Sequence, residues 1–170
     1  MKGRQNLLEP DAVARRINPE CPREAGIAAG REVLRRTAEY IYRQESFAIE
    51  TTLAGSWTNF VIKTALERSF FTRLFYVCVD NPERSIQRVR ERVAQGGHDV
   101  PDCDIRRRYG RSLAHAGRMP RMVHQGLVFD NSGAELRPVF EVRNGKLINP
   151  ADEIPAWADI LLQKERELRE

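Results

Sequence analysis

The densest set of chemically capable residues lies between Gly96 and Leu113, where Gly96-Gly97-His98 leads through Pro101 into Arg106-Arg107-Arg108-Tyr109-Gly-Arg111. Two glycines give a turn, because they reach backbone angles closed to other residues. Pro101 suits a first helical turn, and Asp102 and Asp104 complement the positive end of a helix dipole. On that helix Arg107, Arg108 and Arg111 sit three and four positions apart and can share one side. Guanidinium groups meet phosphate oxygens two at a time and stay charged at any physiological pH. The segment therefore reads as a lid that closes on phosphates, or, in the plainer alternative, as a solvated face in an arginine-rich chain whose only lysines are Lys2, Lys63, Lys146 and Lys164.

Other candidates stand alone in the sequence. Asp11 could act as a general base toward a substrate hydroxyl, or cap a helix. Glu50 follows the apolar Phe47-Ala48-Ile49 and could accept a proton or hold a metal, or could simply leave the sheet into solvent. Thr51 and Thr52 could donate hydrogen bonds to a polar ligand or cap a turn. His98 could touch phosphate or bond backbone in the hinge. His115 and His124 have no partner spacing that suits a metal and read as structural or exposed. There is no Gly-x-Ser-x-Gly nucleophile signature.

The elements that must position these groups follow from pattern. A strand tail at Asn6–Leu8 and a short helix at Ala12–Ile17 are expected. A helix from about Pro22 to Gln44 should turn Ile27, Leu34, Ala38 and Ile41 inward, with Gly26 and Gly30 allowing close packing. Phe47–Ile49 reads as a buried strand. Trp57–Arg68 reads as a helix with Phe60, Val61, Thr64 and Ala65 inward. The unbroken apolar run Leu74–Val79 predicts a strand covered on both faces. Asp80-Asn81-Pro82-Glu83 is a helix start, and that helix runs to about Ala94 with Arg84, Arg88 and Arg92 at four-residue steps. A helical piece at Met119–His124, a strand at Leu127–Phe129, a hairpin through Arg143-Asn144-Gly145 and a helix from Ile154 to about Leu168 complete the pattern. Alternating strands and helices predict an α/β fold, a mainly parallel sheet with helices on both faces plus a C-terminal β-hairpin and helix. Ligands then collect at strand carboxyl ends, where Asp11, Glu50, Thr51 and Asn131 fall.

The 170 residues are long enough for a core. The net charge of +4 and pI near 9.2 suit an anionic ligand, and without aromatic interleaving or a reading motif they do not predict nucleic-acid binding. Cys21, Cys78 and Cys103 have neither metal nor disulfide spacing, so reduced thiols in a cytoplasm are expected. No signal peptide or membrane span is expected.

A series of motifs carries a family resemblance: Asp11-Ala-Val-Ala, Pro19-Glu-x-Pro22, Ala28-Ala-Gly-Arg31, Ser46-Phe-Ala-Ile-Glu50-Thr-Thr-Leu-Ala-Gly55, Arg88-Val-x-Glu-Arg-Val93, Gly96-Gly97-His98-Asp-Val-Pro101, Ile105-Arg-Arg-Arg-Tyr109 and Asp130-Asn131-Ser132. In this order they resemble zeta-toxin-like kinases, P-loop phosphotransferases that act as the toxin of a toxin–antitoxin pair. The resemblance spans nearly the whole chain to about residue 133 and implies a kinase domain over 1–150 followed by a C-terminal helix over 151–170. It implies ATP with Mg2+ as cofactors, a hydroxyl of a small molecule such as a uridine diphosphate amino-sugar as acceptor, and an antitoxin as partner. It makes Asp11 the catalytic base and Glu50 and Thr51 the substrate-binding strand end. It sets Arg107, Arg108 and Arg111 in the lid, and Asn131 near the adenine. The family's opening strand and Gly-x-x-x-x-Gly-Lys-[Ser/Thr] loop are not in this sequence, and Gly26-Ile-Ala-Ala-Gly30-Arg31 does not replace them. Impaired transfer is therefore expected, with a non-catalytic nucleotide-sugar- or antitoxin-binding remnant as the alternative. A sheet without its central strand is also expected to show unpaired edges and to self-associate.

Overall fold

The computed structural model describes residues 6–118 and 122–167, with side chains of the final helix described to Leu162. Two expectations fall partly outside that range: the first residues of the helical piece at Met119–His124, and Leu168 at the end of the last helix. The fold is α/β, and its residues group into two compact units.

Unit 1 comprises residues 6–52 and 64–70. Strand β1 (Leu7–Leu8) leads into helix α1 (Pro10–Ile17), then α2 (Gly26–Tyr42) and strand β2 (Ala48–Ile49). The strands pair in parallel, Leu7 with Ala48 and Leu8 with Ile49. A two-stranded ribbon is marginal alone, so the helices carry most of the core: Val13, Ala14, Ala29, Val33 and Ile41 are buried, with Leu8 of β1. Tyr40 stacks on Phe47 at 5.8 Å between ring centroids, and Phe70 meets Phe47 edge-on at 6.0 Å.

The inward face of α2 differs from the expected one. Ala29, Val33, Thr37 and Ile41 are buried, whereas Ile27 is 77% exposed and Leu34 44%. The buried ridge keeps strict four-residue spacing, and its polar member is satisfied because the Thr37 hydroxyl donates to the Val33 carbonyl at 2.8 Å. A ridge with alanine and threonine in it has little hydropathy contrast, so a reading by hydropathy selects the wrong stripe. Gly26 and Gly30 do not mark close packing either, since a Cβ at either would meet nothing within 4 Å.

Unit 2 comprises residues 53–63 and the described residues from 71 onward. Helix α3 (Trp57–Glu67) begins in it and ends in unit 1. Val61 and Ala65 are buried as expected, but Phe60 is 69% exposed. The sheet of unit 2 has order β3-β4-β5-β6, built from β3 (Arg73–Cys78), β4 (Gln125–Asp130), β5 (Arg137–Arg143) and β6 (Lys146–Ile148). Only β3 and β4 are parallel; β4/β5 and β5/β6 are antiparallel. The sheet is thus mixed, which corrects the mainly parallel expectation. The hairpin explains why: once Asn144 and Gly145 take φ of 49° and 74°, the turn returns β6 against β5.

The expectation that β3 is covered on both faces also fails. Its burial alternates, with Tyr76 and Cys78 inside while Phe75 is 63% and Val77 49% exposed. Among the described residues β3 pairs with β4 alone, so it is the outer strand of its sheet, as β2 is of the other. The apolar run is real, but a run of apolar side chains does not say what lies over each face.

Helix α4 (Pro82–Ala94) starts as its sequence predicts: the Asn81 side chain accepts from the Arg84 backbone N–H, and Pro82 opens the first turn. Helix α5 (Asp102–Ala116) follows Pro101. Gly97 between them has no substitute, since a Cβ there would lie 2.9 Å from the Arg92 carbonyl oxygen. Helix α6 (Ala156–Glu167) closes unit 2, with Trp157, Ala158 and Leu161 buried. No helix of the described residues is long and apolar enough to cross a membrane.

Candidate functional site

The parallel pairing of β1 and β2 brings two of the expected acids to one end of unit 1. The strands run the same way and in register, so their carboxyl ends emerge together. Glu50 leaves β2 there, its backbone N–H donating to the Leu8 carbonyl at 3.0 Å, and Thr51 and Thr52 follow. Asp11 lies in the first turn of α1, three residues beyond the end of β1. Residue Glu9, not Asp11, occupies the N-cap, and no side chain caps the helix. This removes the capping alternative and leaves an exposed Asp11 carboxylate with no hydrogen bond or ion pair to other described residues. Glu50 and Thr52 are exposed and Thr51 is half-buried.

The arginines, His98 and Asn131 belong to unit 2. Helix α5 is seated by a stripe of Ile105, Tyr109, Ser112 and Ala116: Ile105 and Ala116 are buried, and the Ser112 Oγ lies 3.2 Å from the Tyr76 hydroxyl. The Tyr109 hydroxyl donates to the Val79 carbonyl at 2.9 Å and the Asp80 carbonyl at 3.1 Å. The arginines lie off this stripe. Arg107 pairs with Asp104 at 2.7 Å and Arg106 with Glu83 at 3.1 Å, while Arg108 and Arg111 are exposed and in no ion pair among the described residues. His98 is exposed in the loop before α5. Asn131 donates its backbone N–H to the Cys78 carbonyl at 2.8 Å, and its own carbonyl accepts from Arg88 at 2.6 Å. Arg84 of the same row grips Asp80 through two hydrogen bonds of 2.6 and 2.8 Å.

His124 and His115 have the structural roles expected of them. The His124 Nδ1 accepts from the Thr72 backbone N–H at 3.1 Å and its ring stacks on Phe71. His115 Nδ1 lies 2.7 Å from the Leu53 carbonyl. All three cysteines are free thiols, Cys78 buried and the others exposed. No three His, Cys, Asp or Glu side chains among the described residues could hold a metal ion together.

The residue that sequence reasoning passed over is Asp130. The register pairs it with Cys78 at the carboxyl ends of the two parallel strands, and it is only 8% exposed. Its Oδ1 accepts from the Ser132 hydroxyl at 2.5 Å and from the Trp157 Nε1 at 3.2 Å, and its Oδ2 lies 3.5 Å from Arg137. The Ser132 Oγ in turn accepts from the Asp80 backbone N–H at 2.8 Å, tying the two strand ends together. Alternation along β4 was the available signal, because Gly126 and Val128 point inward and residue 130 must follow them. Burial raises the phenols of Tyr76 and Tyr109 above their ordinary range, so neither serves as a ready base.

Burial works to raise the Asp130 carboxyl too, yet the bonds from Ser132 and Trp157 and the charge of Arg137 outweigh it and hold it below the usual carboxylate range. Its contribution to stability is therefore complete above the unfolded value near 4 and is lost as pH falls through the lower folded value. Asp130→Asn is expected to cost about 1–3 kcal/mol at pH 7. It should also remove part of the acid-side loss of stability, read from urea midpoints at about pH 5 and about pH 3. An acid limb identical in the two proteins would refute this role.

No protein-family model and no solved structure matches the chain. Over 105 residues the chain is 33% identical to a protein of Haemophilus influenzae described as an uncharacterized protein, a match covering 62% of this chain and 75% of that one. The chain belongs to the family of that Haemophilus influenzae protein.

Proposed function

We propose that this chain follows the plan of zeta-toxin-like kinases and that unit 1 holds the acceptor, a hydroxyl-bearing small molecule of the uridine diphosphate amino-sugar class. The observation that carries this reading is the convergence of Asp11 with Glu50, Thr51 and Thr52 at the carboxyl end of the β1–β2 pair. Asp11 takes the proton from the acceptor hydroxyl. Thr51 and Thr52 donate hydrogen bonds to the acceptor, and Glu50 accepts one from a neighbouring hydroxyl. In unit 2, Arg108 and Arg111 are exposed and in no ion pair among the described residues.

ATP and magnesium come with the resemblance, but the residues here do not form their cradle. These 170 residues contain no Gly-x-x-x-x-Gly-Lys-[Ser/Thr] segment, and the described residues bring together no metal-binding trio. A second reading, in which the chain binds the nucleotide sugar, or an antitoxin, without transferring phosphate, stands beside the first. One experiment separates them: the chain is titrated calorimetrically with a uridine diphosphate amino-sugar, then incubated with it, ATP and Mg2+, and the sugar is weighed by mass spectrometry. Binding with an added phosphate is expected of the kinase, and binding without it of the remnant. Absence of binding would overturn both acceptor readings.

A further inference from the structure

The groove between α1 and α2 in unit 1 has a chemistry that the acceptor reading does not use. It is an open groove of about 600 Å³, a volume within the range of sites for small organic ligands. Val13, Ile17 and Ala28 supply its apolar lining. The rest is four guanidinium groups, from Arg16, Arg31, Arg35 and Arg36, against the single carboxylate of Glu32. That carboxylate is already committed. It accepts from Arg35 at 2.8 and 2.9 Å and from Arg36 at 2.6 Å. These hydrogen bonds, Arg35's first, hold its pKa at about 2, so it stays ionised and engaged. Arg35 also reaches Glu39. Arg16 and Arg31 are in no ion pair among the described residues, so the groove is left with two uncommitted cations beside an apolar wall. Asp11 is not part of this lining: two residues before Val13, it projects from the other side of α1.

We propose that the α1/α2 groove is a binding site for an organic diphosphate, with the phosphates held by Arg16 and Arg31 and the organic body laid against Val13, Ile17 and Ala28. Adjacent phosphates answer two separate guanidinium groups, each accepting paired N–H donors, whereas one carboxylate would neutralise only one of them. The apolar lining gives the organic part its share of the binding. The lining includes neither Asp11 nor Glu50, and because a uridine diphosphate amino-sugar is itself an organic diphosphate, its binding counts for the acceptor end only where it survives in the Arg16→Ala/Arg31→Ala variant.

The test is calorimetric titration of the chain with inorganic pyrophosphate and with ADP. Both are expected to bind saturably, ADP the more tightly. The Arg16→Ala/Arg31→Ala double variant is expected to weaken both by about tenfold or more, a loss of about 1.4 kcal/mol or more. Arg16→Lys/Arg31→Lys, which keeps the charge and loses the paired geometry, should fall between, and it serves if the alanine variant does not fold. A charge-matched Arg73→Ala/Arg90→Ala variant, with both changes in unit 2, should stay within about twofold. Lack of saturable binding, or equal weakening in the charge-matched variant, would overturn the site. So would capture of a polyglutamate peptide that neither phosphate displaces, which would assign the groove to an acidic protein segment. Because pyrophosphate carries no acceptor hydroxyl, its binding stands even where the amino-sugar does not bind.

Discussion

Replacing Trp157 by alanine is expected to lower the stability of unit 2 by about 3–5 kcal/mol. That is a large fraction of the roughly 5–15 kcal/mol that holds a typical domain folded. Three losses combine. The indole is only 4% exposed, so its removal opens a large cavity. Its ring meets Tyr76 edge-on with centroids 6.1 Å apart, a contact worth about 0.5–1.5 kcal/mol beyond burial. Its N–H leaves Asp130, which keeps Ser132 but loses a donor in a buried place. Trp157→Phe keeps one aromatic ring but removes the donor and part of the buried indole, so an intermediate cost of about 1–3 kcal/mol is expected. Urea midpoints followed by far-ultraviolet circular dichroism read both. At a slope of about 2 kcal/mol per molar urea, the alanine variant should shift by about 1.5–2.5 M. A shift below about 0.5 M would mean that α6 is dispensable to the sheet it covers.

What could be read from the chain was what short-range sterics decides. Asn81-Pro82 opens α4 because a side-chain cap and a fixed φ act within four residues. Asn144-Gly145 turns the hairpin because both positions need positive φ. The placement of Asp11 and Glu50 at strand ends was legible for the same reason, each lying just beyond a short apolar segment. What failed depended on partners distant in sequence. The stripe Ala29-Val33-Thr37-Ile41 was passed over for larger residues, because only the approach of α1 decides which ridge is covered. Phe75 and Val77 read as core although one face of β3 is open, since the neighbours of a strand are not written in it. Asp130 stands in the sequence only as the head of Asp130-Asn131-Ser132; its value comes from Trp157, twenty-seven residues later, and from Arg137.

Asp11→Asn should separate the chemical role of the acidic end from any structural one. The structure leaves the carboxylate little to do for stability. It is exposed, it does not cap α1, and its remaining task is to complement the dipole of an eight-residue helix, worth about 0.3–1 kcal/mol. Asparagine keeps the shape and the ability to accept a hydrogen bond but cannot take up a proton at neutral pH. If unit 1 positions an acceptor hydroxyl for phosphoryl transfer, the substitution is expected to lower transfer by about 10²–10⁴-fold. Acceptor affinity should stay within about twofold, because a base acting only in the transition state adds little to ground-state binding. Thr51→Val makes the complementary case: the hydroxyl is lost while the bulk is kept, so binding should weaken by about three- to tenfold. In the non-catalytic reading neither protein transfers phosphate, yet Thr51→Val still weakens calorimetric binding while Asp11→Asn does not. A wild-type chain that transfers phosphate, with an Asp11→Asn variant equally active, would remove Asp11 from the mechanism and move the search for the base to Glu50.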